Sequence, residues 1–335
     1  MSRLRRCSDW LLIILINFMW ATQAPVIRWI GDGPGPVAVA FIPMIVSTLL
    51  FLPVLAFENR RNRRGIRLRW SDLRHFLVAG LFGYFFLQFA YTLGAQRTLA
   101  ANAGIITLTI PVFVALAASV LLRERLNWVR IASFLLALSG VLLTSVSDLL
   151  NAHLFGGKYL AGNLIFLAAC AGCGFYNAYC KLLVEKQYTE LEILVYTSVV
   201  GSLASIPLFI WVEPFSLPGF LSIGPKAIWG VLELSLVVYG LSMLLFFSVL
   251  RRMDVTQAIL GNYLLPFFIA LLAVAFLKES ITAPMFLGGS IILLSTLILT
   301  VFEDDLLAWS RNRGAPVMRT RSSSPGVRSQ GDAGG

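Results

Sequence analysis

The sequence predicts an all-α integral membrane protein of ten transmembrane helices, arranged as two inverted five-helix repeats. Three observations predict it. Apolar residues make up 58% of the 335 positions and charged residues only 13%, with a mean hydropathy of +0.80. Ten apolar windows are each long enough to cross a bilayer. The chain also superposes on itself at an offset of 155 residues, which corresponds to five windows. A soluble domain averages about 45–50% apolar and about 25% charged residues, so lipid must be this chain's main solvent.

A helix rises 1.5 Å per residue and needs about 20 residues to cross about 30 Å of hydrocarbon. In lipid it satisfies every backbone group internally, as no irregular segment can. The first window, 10–30, follows Arg3, Arg5 and Arg6. It is longer than the apolar core of a signal peptide and has no small-residue cleavage site, so it reads as a retained helix. GDGPGP at 31–36 breaks the chain before the second window, 37–57, and NRRNRRG at 59–65 separates that from the third, 74–95. The fourth and fifth, 99–122 and 127–147, flank the basic segment RERLNWVR. After a linker come 160–183 and 191–212, then EPFSLPG at 213–219, then 226–250, 255–277 and 282–302. The tail beyond about 310, ending RSSSPGVRSQGDAGG, has the composition of disorder.

The formal charge of +10 does not point to nucleic acid, because the basic residues occupy short loops between apolar runs. With the N-terminus in the cytoplasm, 22 of the 27 Lys and Arg fall in cytoplasmic segments; Arg28, Arg97, Lys158, Lys226 and Lys278 fall outside. The positive-inside rule therefore places both termini in the cytoplasm of a multi-pass protein of the cell membrane, plasma or inner. Cys7, Cys170, Cys173 and Cys180 make no disulfide framework. CAGC at 170–173 has redox spacing, but it lies in AACAGCG, a small-residue stripe suited to close helix packing. No metal or other cofactor is expected.

The 155-residue offset places Pro111 on Pro266, Glu124 on Glu279 and Tyr84 on Tyr239. IPVFVALAASVLLRERL at 110–126 then lies over LPFFIALLAVAFLKESI at 265–281. Because five is odd, each helix of the second half runs opposite to its counterpart, an arrangement found in secondary transporters. At these residues the chain resembles the drug/metabolite transporter superfamily, in its EamA-domain group of ten-helix exporters. The matching features are Pro111, Glu124 and Gly140 in one half and Pro266, Glu279, Gly288 and Gly289 in the other. The Trp-then-Gly pattern of the first helix is only partly present, as Trp20 followed by Ala21, Thr22 and Gln23. The resemblance implies EamA-like repeats at 10–147 and 160–303. Around them lie a cytoplasmic N-terminus at 1–9, an external linker at 148–159 and a cytoplasmic, largely disordered tail at 304–335. It also implies a carrier, an exporter in most members, of small metabolites, amino acids or drug-like molecules by alternating access.

Candidate site residues follow from helix chemistry. A proline inside a helix frees the carbonyl four residues earlier; for Pro111 that is Thr107 and for Pro266 it is Asn262, both polar residues in apolar runs. They either face a ligand at mid-depth or bond their own helix and a neighbour. Trp20, Gln23, Tyr84, Gln88, Tyr176, Asn177 and Tyr239 form an aromatic and amide set without fixed charge, which as a whole points to a mid-depth cavity, although each aromatic alone reads more readily as an interface anchor. Glu233 is the one acidic side chain well inside an apolar span, roughly 10 Å past Lys226, and an ionisable group there marks an ion, proton or substrate path by default. Glu124 and Glu279, beside basic neighbours, suit pairing and helix-end geometry more than transport chemistry. An embedded enzyme is disfavoured: His75 and His153 are the only histidines and no hydrolase or zincin motif is present. A channel would need a filter segment that the sequence lacks. The expected partners are a small-molecule substrate and the lipid bilayer, while proton coupling and a homodimer stay open.

Overall fold

The computed structural model describes residues 3–31, 33–62, 68–121, 128–144, 159–214, 224–250 and 264–301, together with 216, 218 and 222. The described chain is helical. Its helices are α1 (Arg3–Ala21), α2 (Gln23–Ile30), α3 (Pro36–Arg61), α4 (Leu73–Val78), α5 (Phe86–Arg97), α6 (Ala100–Thr107), α7 (Ile110–Leu121), α8 (Trp128–Thr144), α9 (Leu160–Glu185), α10 (Glu190–Trp211), α11 (Pro225–Glu233), α12 (Ser242–Leu250), α13 (Leu265–Leu277) and α14 (Ala283–Val301). Among the described residues six helical stretches are long and apolar enough to cross a membrane: Leu11–Ile30, Pro36–Arg61, Trp70–Arg97, Leu160–Glu185, Glu190–Trp211 and Pro225–Phe246. A bent pair, α6 with α7, makes a seventh. Shorter apolar helices at Ile131–Leu143, Leu265–Leu277 and Ala283–Ser295 fall within the three remaining predicted windows. The fold is an all-α, multi-span membrane fold.

Four spans depart from the regular helices that hydropathy alone predicts. The first is interrupted at Thr22, between α1 and α2, where Pro25 offers no N–H to the Ala21 carbonyl four residues earlier. The fourth breaks between α6 and α7 with a bend of 43°, and Pro111 stands second in α7, a position where the missing N–H has no helical partner to lose. The predicted third and eighth spans each contain a π-helical stretch, Ala79–Phe85 between α4 and α5 and Leu234–Leu241 between α11 and α12. Their starts lie 155 residues apart, the offset of the sequence repeat.

Lipid tails are as apolar as leucine, so helix association rests on close packing rather than on the hydrophobic effect. Small residues supply it. A β-carbon at Gly140 of α8 would meet Ile292 Cγ1 at 2.6 Å and the Gly288 carbonyl at 2.8 Å on α14. One at Gly174 of α9 would meet the Phe113 backbone of α7 at 2.6 Å. The CAGC stripe lies on this same closely packed helix, and Cys170 Sγ contacts the Ile106 carbonyl at 3.7 Å. The largest buried cluster brings Ala24, Ile27, Val39, Ile106, Phe166, Val231 and Tyr239 together from both halves of the chain. Elsewhere Asp72, at the start of the third span, accepts from Lys186 Nζ at 2.7 Å and from the Tyr188 hydroxyl at 3.0 Å, tying that span to the turn after α9.

Candidate functional site

Three of the predicted polar residues meet in a closed hydrogen-bonded triangle. Gln23, on the first turn of α2, donates from Nε2 to the Tyr239 hydroxyl at 2.9 Å and more weakly to Gln88 Oε1 at 3.4 Å. The Tyr239 hydroxyl in turn donates to Gln88 Oε1. Tyr239 and Gln88 are buried. The π-helical stretch carries Tyr239 into this position. Gly240 beside it leaves space for that geometry, since a β-carbon there would lie 2.9 Å from the Ser235 carbonyl, five residues earlier. Within the triangle the phenol acts as acceptor and donor together, and the Gln23 carbonyl and the Gln88 amide hydrogens lie outside it. Amide side chains of this kind can bond a ligand of either polarity.

Glu233 closes α11 one residue before that π-helical stretch. Its Oε1 is hydrogen-bonded with the Thr22 hydroxyl, and its Oε2 is buried with no partner among the described residues. Asn17 Oδ1 and Trp20 Nε1, both on α1, share that condition, and the Trp20 ring meets Phe246 edge-on with centroids 5.0 Å apart. A buried polar atom without a partner costs about 1–3 kcal/mol, which a bound ion, proton or polar ligand offsets.

Tyr84 adjoins this centre through a side-chain hydrogen bond with Gln88, and the other predicted residues are placed around it. Tyr84 is buried in its own π-helical stretch, with its ring 5.5 Å from that of Tyr176, whose hydroxyl bonds Thr197 at 3.0 Å. The Asn177 side chain is exposed and its amide returns to the Cys173 carbonyl of its own helix at 2.8 Å. Thr107 bonds the Gly104 carbonyl at 2.6 Å, next to the break between α6 and α7. Pro266 stands second in α13. Asn262 and Glu124 lie outside the described residues.

Glu279 caps a helix of the other half. Its two oxygens each accept at 3.0 Å, from Ala100 N and Ala101 N, at the N-terminus of α6. Carboxylate charge and helix dipole favour that position together. Glu213, which the sequence reading passed over, does the same for α3, accepting from Val37 N at 2.9 Å and Ala38 N at 3.2 Å. Arg28 donates to the Gln96 carbonyl at 2.8 Å, in the last turn of α5, where the dipole favours a cation. A cavity of about 460 Å³ lies beside Arg28, Tyr159 and Lys278.

Thr22 and Glu213 are the functional candidates that sequence reading missed. Pro25, four residues after Ala21 in an otherwise apolar helix, was the signal for the first. An acid immediately following a span was the signal for the second.

The comparisons with known proteins agree with this architecture. A probable terminal-alkyne amino-acid exporter of Streptantibioticus cattleyicolor is 25% identical over 320 residues, covering 95% of this chain and 98% of that one. An uncharacterized transporter of Archaeoglobus fulgidus is 21% identical over 294 residues, 87% of this chain and 98% of the relative. The transporter YetK of Bacillus subtilis is 26% identical over 251 residues, 73% of this chain and 72% of the relative. A protein of known crystal structure superposes with a TM-score of 0.59 at 19% identity, over 90% of this chain and 99% of its own, and shares the fold. The EamA-like transporter family matches residues 9–146 and again 160–301. With two such matches taking in most of its length, the chain belongs to the EamA-like transporter family and works as a membrane transporter, not as an enzyme.

Proposed function

We propose that this transporter is a ten-helix exporter of a small polar metabolite or amino acid, built as two inverted five-helix halves with both termini in the cytoplasm. The Gln23, Gln88 and Tyr239 triangle carries the reading, because it joins side chains of both halves at a buried point where a ligand can compete for their hydrogen bonds. Rocking one half against the other would open that point to each side in turn. Two family matches in succession and two π-helical stretches at the repeat offset support the paired halves. The exporter among the relatives supports the substrate class and the direction. Glu233 supplies the coupling group, a carboxyl that takes a proton or cation on one side and gives it up on the other.

The test is substrate counterflow in proteoliposomes. Unlabelled amino acids or small metabolites trapped inside should drive accumulation of a labelled counterpart, and the Gln88→Leu variant should need about fivefold to 150-fold more substrate for it while still inserting. Electrogenic flux without counterflow would identify a channel and end the proposal. An imposed pH gradient should drive uphill transport by the parent, and Glu233→Gln should exchange substrate without responding to the gradient.

A further inference from the structure

We propose that Thr22 reads the proton occupancy of Glu233 into the bend of the first membrane span. This rests on the reading of Glu233 as the coupling carboxyl. Thr22 is the residue between α1 and α2, and its hydroxyl oxygen sits 2.7 Å from the Met19 carbonyl and in contact with Glu233 Oε1. A threonine hydroxyl has one hydrogen and can accept from others. Two acceptors therefore compete for one donor.

The competition has two solutions, and the carboxyl proton selects between them. When Glu233 carries a proton on Oε1, it donates to Thr22 Oγ1, which donates onward to Met19. The carboxyl proton, the hydroxyl and the Met19 carbonyl are then all paired along one chain, and only Oε2 is left without a partner among the described residues. When that proton leaves to water, the carboxylate has no hydrogen to give and two oxygens to satisfy. The Thr22 hydrogen turns to Oε1, because a bond to a charged acceptor is roughly twice as strong as one to a neutral carbonyl. The Met19 carbonyl then keeps only the longer bond from Thr22 N, at 3.3 Å. No covalent bond other than the carboxyl O–H changes, and the Thr22 hydrogen stays on its own oxygen throughout.

The place where this happens is already the weak point of the span. The Ala21 carbonyl has lost its helical donor to Pro25, so releasing Met19 as well leaves adjacent turns unpinned. Gln23, next in the chain, holds the triangle with Tyr239 and Gln88, so a change of angle at Thr22 is passed directly to the proposed ligand site. Among the described residues no other ionisable group is in a position to stand in for Glu233. Residues 11–21 of α1 and the whole of α12 and α13 contain none. On α2 the Arg28 guanidinium is on the Gln96 carbonyl. On α11 Lys226 lies over the Trp29 ring at 5.1 Å. Those of α3, Glu58, Arg60 and Arg61, are in its last turn, and Tyr239 in the following π-helical stretch is held in the triangle.

The experiment measures the span's bend without needing a substrate. Spin labels are attached at Leu11→Cys and Trp29→Cys, both exposed positions on the two sides of Thr22, in protein whose native cysteines are replaced. Distance distributions are recorded in nanodiscs at about pH 5 and about pH 9, bracketing a buried carboxyl. The parent should shift between the two pH values. Glu233→Gln should stay at the acid distribution, Thr22→Ser should shift as the parent does, and Thr22→Val should lose the shift. Thr22→Ala replaces Thr22→Val if the latter does not accumulate. If Thr22→Val and Thr22→Ala shift like the parent while Glu233→Gln does not, Thr22 has no part and the proposal fails, with Glu233 still the coupling group. If Glu233→Gln shifts like the parent, the underlying reading of Glu233 fails.

Discussion

Gln88 Oε1 is the acceptor on which two donors from different spans converge, and the weights within the triangle follow from that. Tyr239→Phe removes the hydroxyl, but the direct contact between Gln23 and Gln88 remains. We expect a loss of about 1 kcal/mol of substrate binding, about fivefold in half-saturating concentration. Gln88→Leu strands both donors in a buried place and should weaken binding by about 1–3 kcal/mol, about fivefold to 150-fold. Half-saturation in the counterflow assay, normalised to protein in the membrane, measures both; a larger effect from Tyr239→Phe than from Gln88→Leu would mean the phenol touches ligand directly. These residues were legible in the sequence because a polar side chain in an apolar run must have a partner, and the repeat singled out Tyr239. Asn177 has the same chemistry and lies on the exposed face of α9, because polarity in a span does not specify which side of the helix it is on. Thr22 was hidden for the opposite reason: a helical threonine ordinarily bonds its own backbone, as Thr107 does here, and its second partner is distant in sequence.

At the scale of elements, the sequence gives the number and limits of the apolar runs but not what happens within them. A π-helical stretch has no compositional signature comparable to a proline kink, so neither was foreseen, although the repeat that relates them was. Gly240→Ala presses a methyl group onto the Ser235 carbonyl, where the separation would be 2.9 Å, and overpacking of this kind costs about 1–3 kcal/mol. We expect a lower unfolding midpoint in detergent and weaker substrate binding together, since the same stretch positions Tyr239. The terminal acid of the family pattern was legible as a helix-end residue, but its helix was not, because Glu279 caps α6 rather than the helix that precedes it. Glu279→Ala should destabilise by about 0.5–2 kcal/mol through loss of the cap, and Glu213→Ala should do the same at α3. Thermal unfolding of the purified variants tests this. An unchanged midpoint for both would mean that water caps these N-termini equally well.

At the scale of the whole molecule, orientation rests on the distribution of charge rather than on any contact. Of the 27 basic residues, 22 fall in segments on one side of the proposed topology. Lysines and arginines in short loops resist translocation, whereas the apolar runs between them insert in either direction. In the proposed topology the seven basic residues around NRRNRRG dominate the first half and would hold the end of the second span in the cytoplasm. An odd number of spans per half would then reverse the second half and place the five basic residues of the tail in the cytoplasm as well. Single cysteines after residue 65 and in the tail should therefore react with an impermeant maleimide only once the membrane is opened, and one at His153→Cys should react in intact cells. A cysteine within NRRNRRG that reacts in intact cells would reverse the first half. One in the tail that reacts there would make the number of spans odd, and the paired, inverted architecture would be lost with it.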